Sequence, residues 1–241
     1  MIANTTSGKL AVRIAVFGPD GYHGDRRHGS GLWDAGIRAC LEMAEAEAVM
    51  LPEKLESKRL SSLLGNVDGV VVTGHDARYN KPTDMEEIFQ YCRKHAIPVL
   101  AIDRGMHAMN TAFGGTTMTD MPLEAPDMLQ HRHPPERGLR HGLVVEPFSR
   151  LAKLYGEGEI IVNSEHSQAT NRVARAFKVG AKAMDGMVES IETSPDDAWW
   201  ALGIQWQPAC STSSGLDIQI FRCHIEHCRA RLAAPKIKAA A

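Results

Sequence analysis

Ile97-Pro98-Val99-Leu100-Ala101-Ile102-Asp103-Arg104-Gly105-Met106-His107 carries the decisive signal in this chain. An apolar, β-branched run stops at one polar residue, a glycine follows two positions later, and helix-compatible sequence takes over. That order predicts a buried strand, a sharp turn, and one side chain displayed beside the N-terminus of a helix, the arrangement of a nucleophile elbow. The displayed residue is Asp103, where elbow hydrolases carry Ser or Cys.

Outward from the elbow, short β-rich runs alternate with helical patterns, as in a sheet covered by helices on both faces. Val12–Phe17, Ala48–Leu51, Asp68–Thr73 and Ala201–Trp206 read as core strands. Gly31–Ala46, Leu55–Leu64, Thr83–His95 and Gly215–Leu232 read as helices, with Thr83 as N-cap and Glu86 at capping-box spacing. Leu143–Glu146, Glu159–Val162, Ala174–Ala183 and Met187–Glu192 read as shorter, antiparallel strands. Thr116–Arg140, rich in Pro, His, Met and charge, reads as a long surface excursion. The expected architecture is α/β, a three-layer, doubly wound, mostly parallel sheet of flavodoxin-like type. Residues 11–232 would form a single domain, between a flexible leader (1–10) and a flexible tail (233–241).

With 241 residues, 44% of them hydrophobic and 23% charged, the chain can bury a substantial core. A formal charge of −2 with no basic cluster gives no case for nucleic acid as a partner. No apolar run is long enough for a membrane span. Five cysteines without a regular framework suit reduced thiols and a cytoplasmic setting.

Four separated segments, in order, resemble the class I glutamine amidotransferase superfamily, and within it the γ-glutamyl-γ-aminobutyrate hydrolase branch (the peptidase C26 type). Asp68–Gly74 resembles the strand and turn that supply part of that family's oxyanion hole, and Pro98–Gly105 its nucleophile elbow. Val162-Asn163-Ser164-Glu165-His166-Ser167-Gln168, with Asp185-Gly186-Met187-Val188-Glu189 further on, resembles two later family segments. Gly203-Ile204-Gln205-Trp206-Gln207-Pro208 resembles the family's Gly-x-Gln-Trp-His-Pro-Glu. The resemblance implies a cysteine nucleophile, a histidine base and an orienting glutamate. Those three positions hold Asp103, Gln207 and Ala209. Glutamine cannot act as a general base, so cysteine-type acyl transfer is excluded.

The resemblance gathers Gly74, Arg104 and His166 on the substrate and oxyanion side, and sets ligand-type residues around the same cleft. His75, Asp103, His107 and Glu165 could hold a divalent zinc, iron or manganese ion that activates water. Asp103 could instead plug the oxyanion hole, accepting from the N–H groups of Gly74 and Arg104, or act as a carboxylate nucleophile with His75 or His107 as base. Three functions stay open. One is a non-cysteine, metal-assisted hydrolase of a small γ-glutamyl-type amide. The others are a pseudoenzyme sensing such a ligand, and a subunit of a homo-oligomer or of a synthetase-type partner. Cys210 and the i,i+4 pairs Cys223/His227 and His224/Cys228 read as ordinary structural residues. The resemblance sets His131-Arg132-His133 near the cleft, as a substrate contact or simply a loop, while Gly18–Gly24 would shape one wall of it, with Tyr22 and His23 available to a ligand.

Overall fold

The computed structural model describes residues 11–18, 30–51, 57–74, 82–132, 139–210 and 212–234. Runs of β-branched residues build the parallel half of the sheet, because strands covered on both faces need apolar side chains in every position. β1 (Val12–Phe17), β2 (Ala46–Leu51), β3 (Gly69–Val72), β4 (Val99–Ile102) and β11 (Ala201–Ile204) pair in the order β2-β1-β3-β4-β11, all parallel. That is the flavodoxin-like order, in which ligands bind beyond the carboxyl ends of the strands.

Alternate residues of each strand feed opposite layers. Ile14, Val16, Val71, Leu100, Ile102, Leu202 and Ile204 pack with Ile37 and Leu41 of α1 (Ser30–Met43) and with Ile220, Phe221 and Ile225 of α7 (Ile218–Ala233). Ala15, Phe17, Val70, Val72, Val99 and Ala101 pack on the other face. Their partners there are α2 (Ser57–Leu64), α3 (Pro82–Lys94) and α4 (Arg104–Ala112), through Leu64, Phe89 and Met106.

The expectation of a mostly parallel sheet needs correction. Beyond β11 the same sheet continues through β10 (Val188–Glu192), β9 (Lys178–Ala183), β6 (Arg140–Val145) and β7 (Gly158–Asn163), all antiparallel. β8 (Ala169–Arg172) pairs with β10 and with β5 (Thr116–Met118). The stretch read as a surface excursion holds β5 and α5 (Met121–Glu124), and its His131 is buried. α6 (Arg150–Tyr155) follows β6. α3 begins at Pro82, one residue before the expected start at Thr83; a proline suits that position because its missing N–H is unpaired there anyway. The leader, most of the tail, Tyr22-His23, His75 and His133 lie outside the described residues.

His224 fastens α7 to this frame. Its Nε2–H donates to the carbonyl of Pro98 (3.2 Å), and its ring stacks on Trp200 with 5.3 Å between centroids. Burial lowers its pKa from 6.5 to about 4, so the ring is neutral at pH 7. Unfolding releases it to bind a proton at 6.5. The stability it gives is therefore whole above pH 6.5 and fades as pH falls towards 4, by roughly 2–3 kcal/mol. Urea melts at pH 7.5 and pH 4.5 should show wild type losing that much more stability on acidification than His224→Leu; parallel losses would refute the assignment.

Candidate functional site

β4 delivers Asp103 to the carboxyl edge of the sheet, and α4 begins at the next residue. The turn between them places Asp103 at φ 55° and ψ −114°, the mirror image of extended backbone and strained for any residue with a Cβ. Gly105 lets it close: a Cβ there would stand 2.1 Å from the carbonyl oxygen of Val72 at the end of β3. A nucleophile elbow is thus present in its backbone, with a carboxylate as its displayed group.

That carboxylate is 5% exposed and bridges two glutamines from the end of β11. Gln205 Nε2 donates to Oδ1 at 2.7 Å, and Gln207 Nε2 donates to Oδ2 at 2.9 Å. Gln207 is itself held at its backbone by Asn163. The Asn163 Oδ1 accepts from the Gln207 N–H and its Nδ2 donates to the Gln207 carbonyl, both at 2.9 Å. The Arg104 N–H points to the carbonyl of Gly74 at 3.4 Å, which ties the start of α4 to the end of β3. Ala209 follows at the edge of the site with no polar group to offer.

His107 sits one helical turn after Asp103, and its Nε2 has no hydrogen-bond partner among the described residues. Its Nδ1 faces the Thr170 hydroxyl at 3.5 Å. Burial lowers its pKa to about 4 against the pull of the Asp103 carboxylate, so it too is neutral at pH 7. Glu165 is half-buried. Among the described residues, Asp103, His107 and Glu165 do not come together as a metal-ligand group. The group that does converge is His131, His141, His166 and Glu189, all buried. His166, expected on the substrate side, donates from Nδ1 to the carbonyl of Gln168 (2.9 Å) and turns Nε2 to Glu189 Oε1 at 3.3 Å. Burial disfavours charge on both groups, but their attraction outweighs it, raising the pKa of His166 and holding Glu189 well below the usual carboxylate range.

Beside His166 opens a cavity of about 490 Å³, walled by apolar residues such as Met121, Pro122 and Leu129, with Gln130, His131, Arg132 and Ser167 joining His166 as its polar lining. Cys210 is bound into the local network, 3.3 Å from Asn163 Nδ2 and 3.0 Å from the Thr212 hydroxyl. Cys223 and His227 satisfy each other's turn of α7 through the carbonyl of Cys223. Sequence reasoning missed Gln205, although its two-residue spacing from Gln207 is the period that puts side chains on one side of an extended chain. It also missed the convergence of His131, His141 and Glu189, which comes from three separate elements.

Fold and elbow together define the class I glutamine amidotransferase architecture. The glutaminase domain of Trypanosoma brucei CTPS, solved with bound acivicin, superposes with a TM-score of 0.64, covering 91% of this chain and 94% of that one at 16% identity. The sequence profile of the Peptidase C26 family matches residues 82–209, and the chain belongs to that family. Among its relatives, the γ-glutamyl-γ-aminobutyrate hydrolase PuuD of Escherichia coli is 28% identical over 210 residues, spanning 77% of this chain and 82% of PuuD. Protein NtpR of Enterococcus hirae is 31% identical over 198 residues, spanning 74% and 82% respectively.

Removing the Asp103 carboxylate strands two buried amides, each worth about 1–3 kcal/mol when left unpaired. Asp103→Ala should therefore lose roughly 2–4 kcal/mol in urea denaturation. Asp103→Gly should recover about 1 kcal/mol of that, because glycine adopts the positive φ without strain. Equal stabilities for the two variants would mean that the turn is not held in this conformation.

Proposed function

We infer that this Peptidase C26 protein is a ligand-binding pseudoenzyme: it holds a small γ-glutamyl-type amide in the cleft and does not form an acyl-enzyme. The observation that carries this is the Gln205–Asp103–Gln207 bridge. A carboxylate whose two oxygens each accept an amide N–H is a weakened nucleophile, because each hydrogen bond stabilises the charge on its oxygen. The residue at the position of the family's base is an amide with no proton to take or give. Gln207 would therefore not deliver water to a covalent intermediate.

The PuuD relative is named for hydrolysing γ-glutamyl-γ-aminobutyrate, and that substrate class is the one proposed here as ligand. The cavity beside His166 is of a size for such a molecule, and Arg132 offers a guanidinium to its carboxylate. The five unpaired cysteines fit work in the cytoplasm; no helix among the described residues is long and apolar enough to cross a membrane. One observation favours hydrolysis instead. The neutral, unpartnered Nε2 of His107 is chemically a base, and it lies one turn from Asp103.

Both readings meet the same assay. The purified chain is incubated with γ-glutamyl-p-nitroanilide and with γ-glutamyl-γ-aminobutyrate, and its melting temperature is followed with the latter. Melting should rise by a few degrees with no amine released above the buffer blank. Release that disappears in both Asp103→Asn and His107→Gln would establish the hydrolase. Neither release nor any shift would leave ligand binding without support and favour a subunit role.

A further inference from the structure

We propose that His131, His141, His166 and Glu189 form a closed, four-coordinate site for one divalent zinc ion, independent of the elbow and structural in role. The four residues come from four parts of the chain. His131 follows α5, His141 lies on β6, His166 follows β7, and Glu189 lies on β10. Glu189 sits at an irregularity of β10: Val188 and Ser190 pair with the successive residues Lys182 and Ala181 of β9, leaving Glu189 as the extra residue of a bulge. Bulges of this kind re-aim a side chain.

Hydrogen bonding outside the cluster fixes which nitrogen of each ring carries its proton. His131 Nε2 faces the Asp185 carboxylate at 2.9 Å, His166 Nδ1 faces the Gln168 carbonyl at 2.9 Å, and His141 Nδ1 faces the carbonyl of Gly142 at 3.2 Å. All three partners are acceptors, so each ring donates outward. In the neutral rings, the form that binds a metal, that leaves lone pairs on His131 Nδ1, His141 Nε2 and His166 Nε2, all turned towards Glu189; with no ion bound, His166, whose pKa is raised, supplies the one proton of the group. Outer-nitrogen donation to carboxylate or carbonyl is how zinc-bound histidines are oriented.

Four of the six separations lie near those of a tetrahedral ion, and all six are within 4.8 Å. Bonds of about 2.0–2.1 Å to zinc separate neighbouring ligand atoms by about 3.3–3.4 Å. His131 Nδ1 lies 3.2 Å from His166 Nε2 and 3.3 Å from Glu189 Oε1. Glu189 Oε1 lies 3.3 Å from His166 Nε2 and 3.6 Å from His141 Nε2. Of these only the His131–His166 contact has hydrogen-bond geometry, and it does not reach the carboxylate. Both oxygens of Glu189, and His141 Nε2, have no hydrogen-bond partner among the described residues, with side chains only 1% and 7% exposed. A buried carboxylate facing three lone pairs needs positive charge. A dication provides it, and Glu189 and Asp185 together neutralise that charge.

Four protein ligands leave no open position for water, which separates this site from a water-activating one. Its consequence is mechanical. It would fasten the segment after α5 and the turn after β7 to the antiparallel half of the sheet, behind Asp103 and His107.

Full-length protein purified without chelator should carry about one zinc per chain by elemental analysis. After stripping and reloading with cobalt(II), it should show the intense visible absorption of tetrahedral coordination. His141→Gln and Glu189→Gln should abolish stoichiometric zinc. Asp185→Asn, which unfastens His131, should weaken zinc affinity about 10–100-fold. Asp103→Asn should keep the ion, and chelation should lower the melting temperature. Should the ligand variants fail to fold, X-ray absorption of the wild-type zinc protein decides, with a shell of three imidazoles and one carboxylate expected. Stripped protein that takes up neither zinc nor cobalt would overturn the proposal and leave a proton on His166 as the counter-charge. So would an ion lost from Asp103→Asn but kept by His141→Gln.

Discussion

The candidate site hangs from one turn, in which the chain leaves β4 at Asp103 with φ 55° and enters α4 against the carbonyl of Val72. The conformation is costly for an aspartate and is over-determined by its surroundings. The N–H of Asp103 donates to Ile204 on the neighbouring strand at 2.8 Å, and its two carboxylate oxygens reach the amides that follow that strand. β4 and β11 are thus tied together past the end of their ladder, by side chains instead of backbone. An elbow that displays a nucleophile spends its strain on exposing one atom. Here the same strain turns the carboxylate back into the protein, where it serves as the acceptor of a bridge.

The parallel half of the fold was legible because Val12–Phe17, Gly69–Val72 and Val99–Ile102 are nearly continuous apolar runs, and covered strands tolerate little else. The antiparallel half announced its strands but not its extent. β8 is Ala-Thr-Asn-Arg, with only its first two residues buried, and α6 has six residues; neither is long enough to show a period. The excursion from Thr116 looked solvated because proline and charged residues are usually at surfaces. His131 is buried nonetheless, since its ring nitrogens face Asp185 and Glu189.

The site was legible at the level of position and not of partnership. Asp103 was identifiable from its place between a strand and a glycine, and the loss of a base from Gln207. That Gln207 would bind Asp103 depends on Asn163, which clamps its backbone from a segment 44 residues away. The histidine cluster shows the same limit more strongly. Its members are separated by runs of 10 to 25 residues, and only β6, β7 and β10 lying in one sheet brings them within 4.8 Å. No local period can report such a meeting.

The two buried carboxylates show how one fold divides its electrostatics. Asp103 lies at the N-terminus of α4, where the helix dipole favours negative charge and an elbow enzyme would stabilise a thiolate. A permanent carboxylate takes that benefit without the reactivity, and two amides complete its solvation. Glu189 lies away from any helix end, at a strand bulge among three imidazoles, and depends for its charge on what those rings hold. His166 senses both, since its charge is favoured by Glu189 and by Asp103 alike, while His107 between burial and Asp103 stays neutral. The two carboxylates thus answer the same burial in different ways, Asp103 through amide donors from the end of β11 and Glu189 through the imidazoles that surround it.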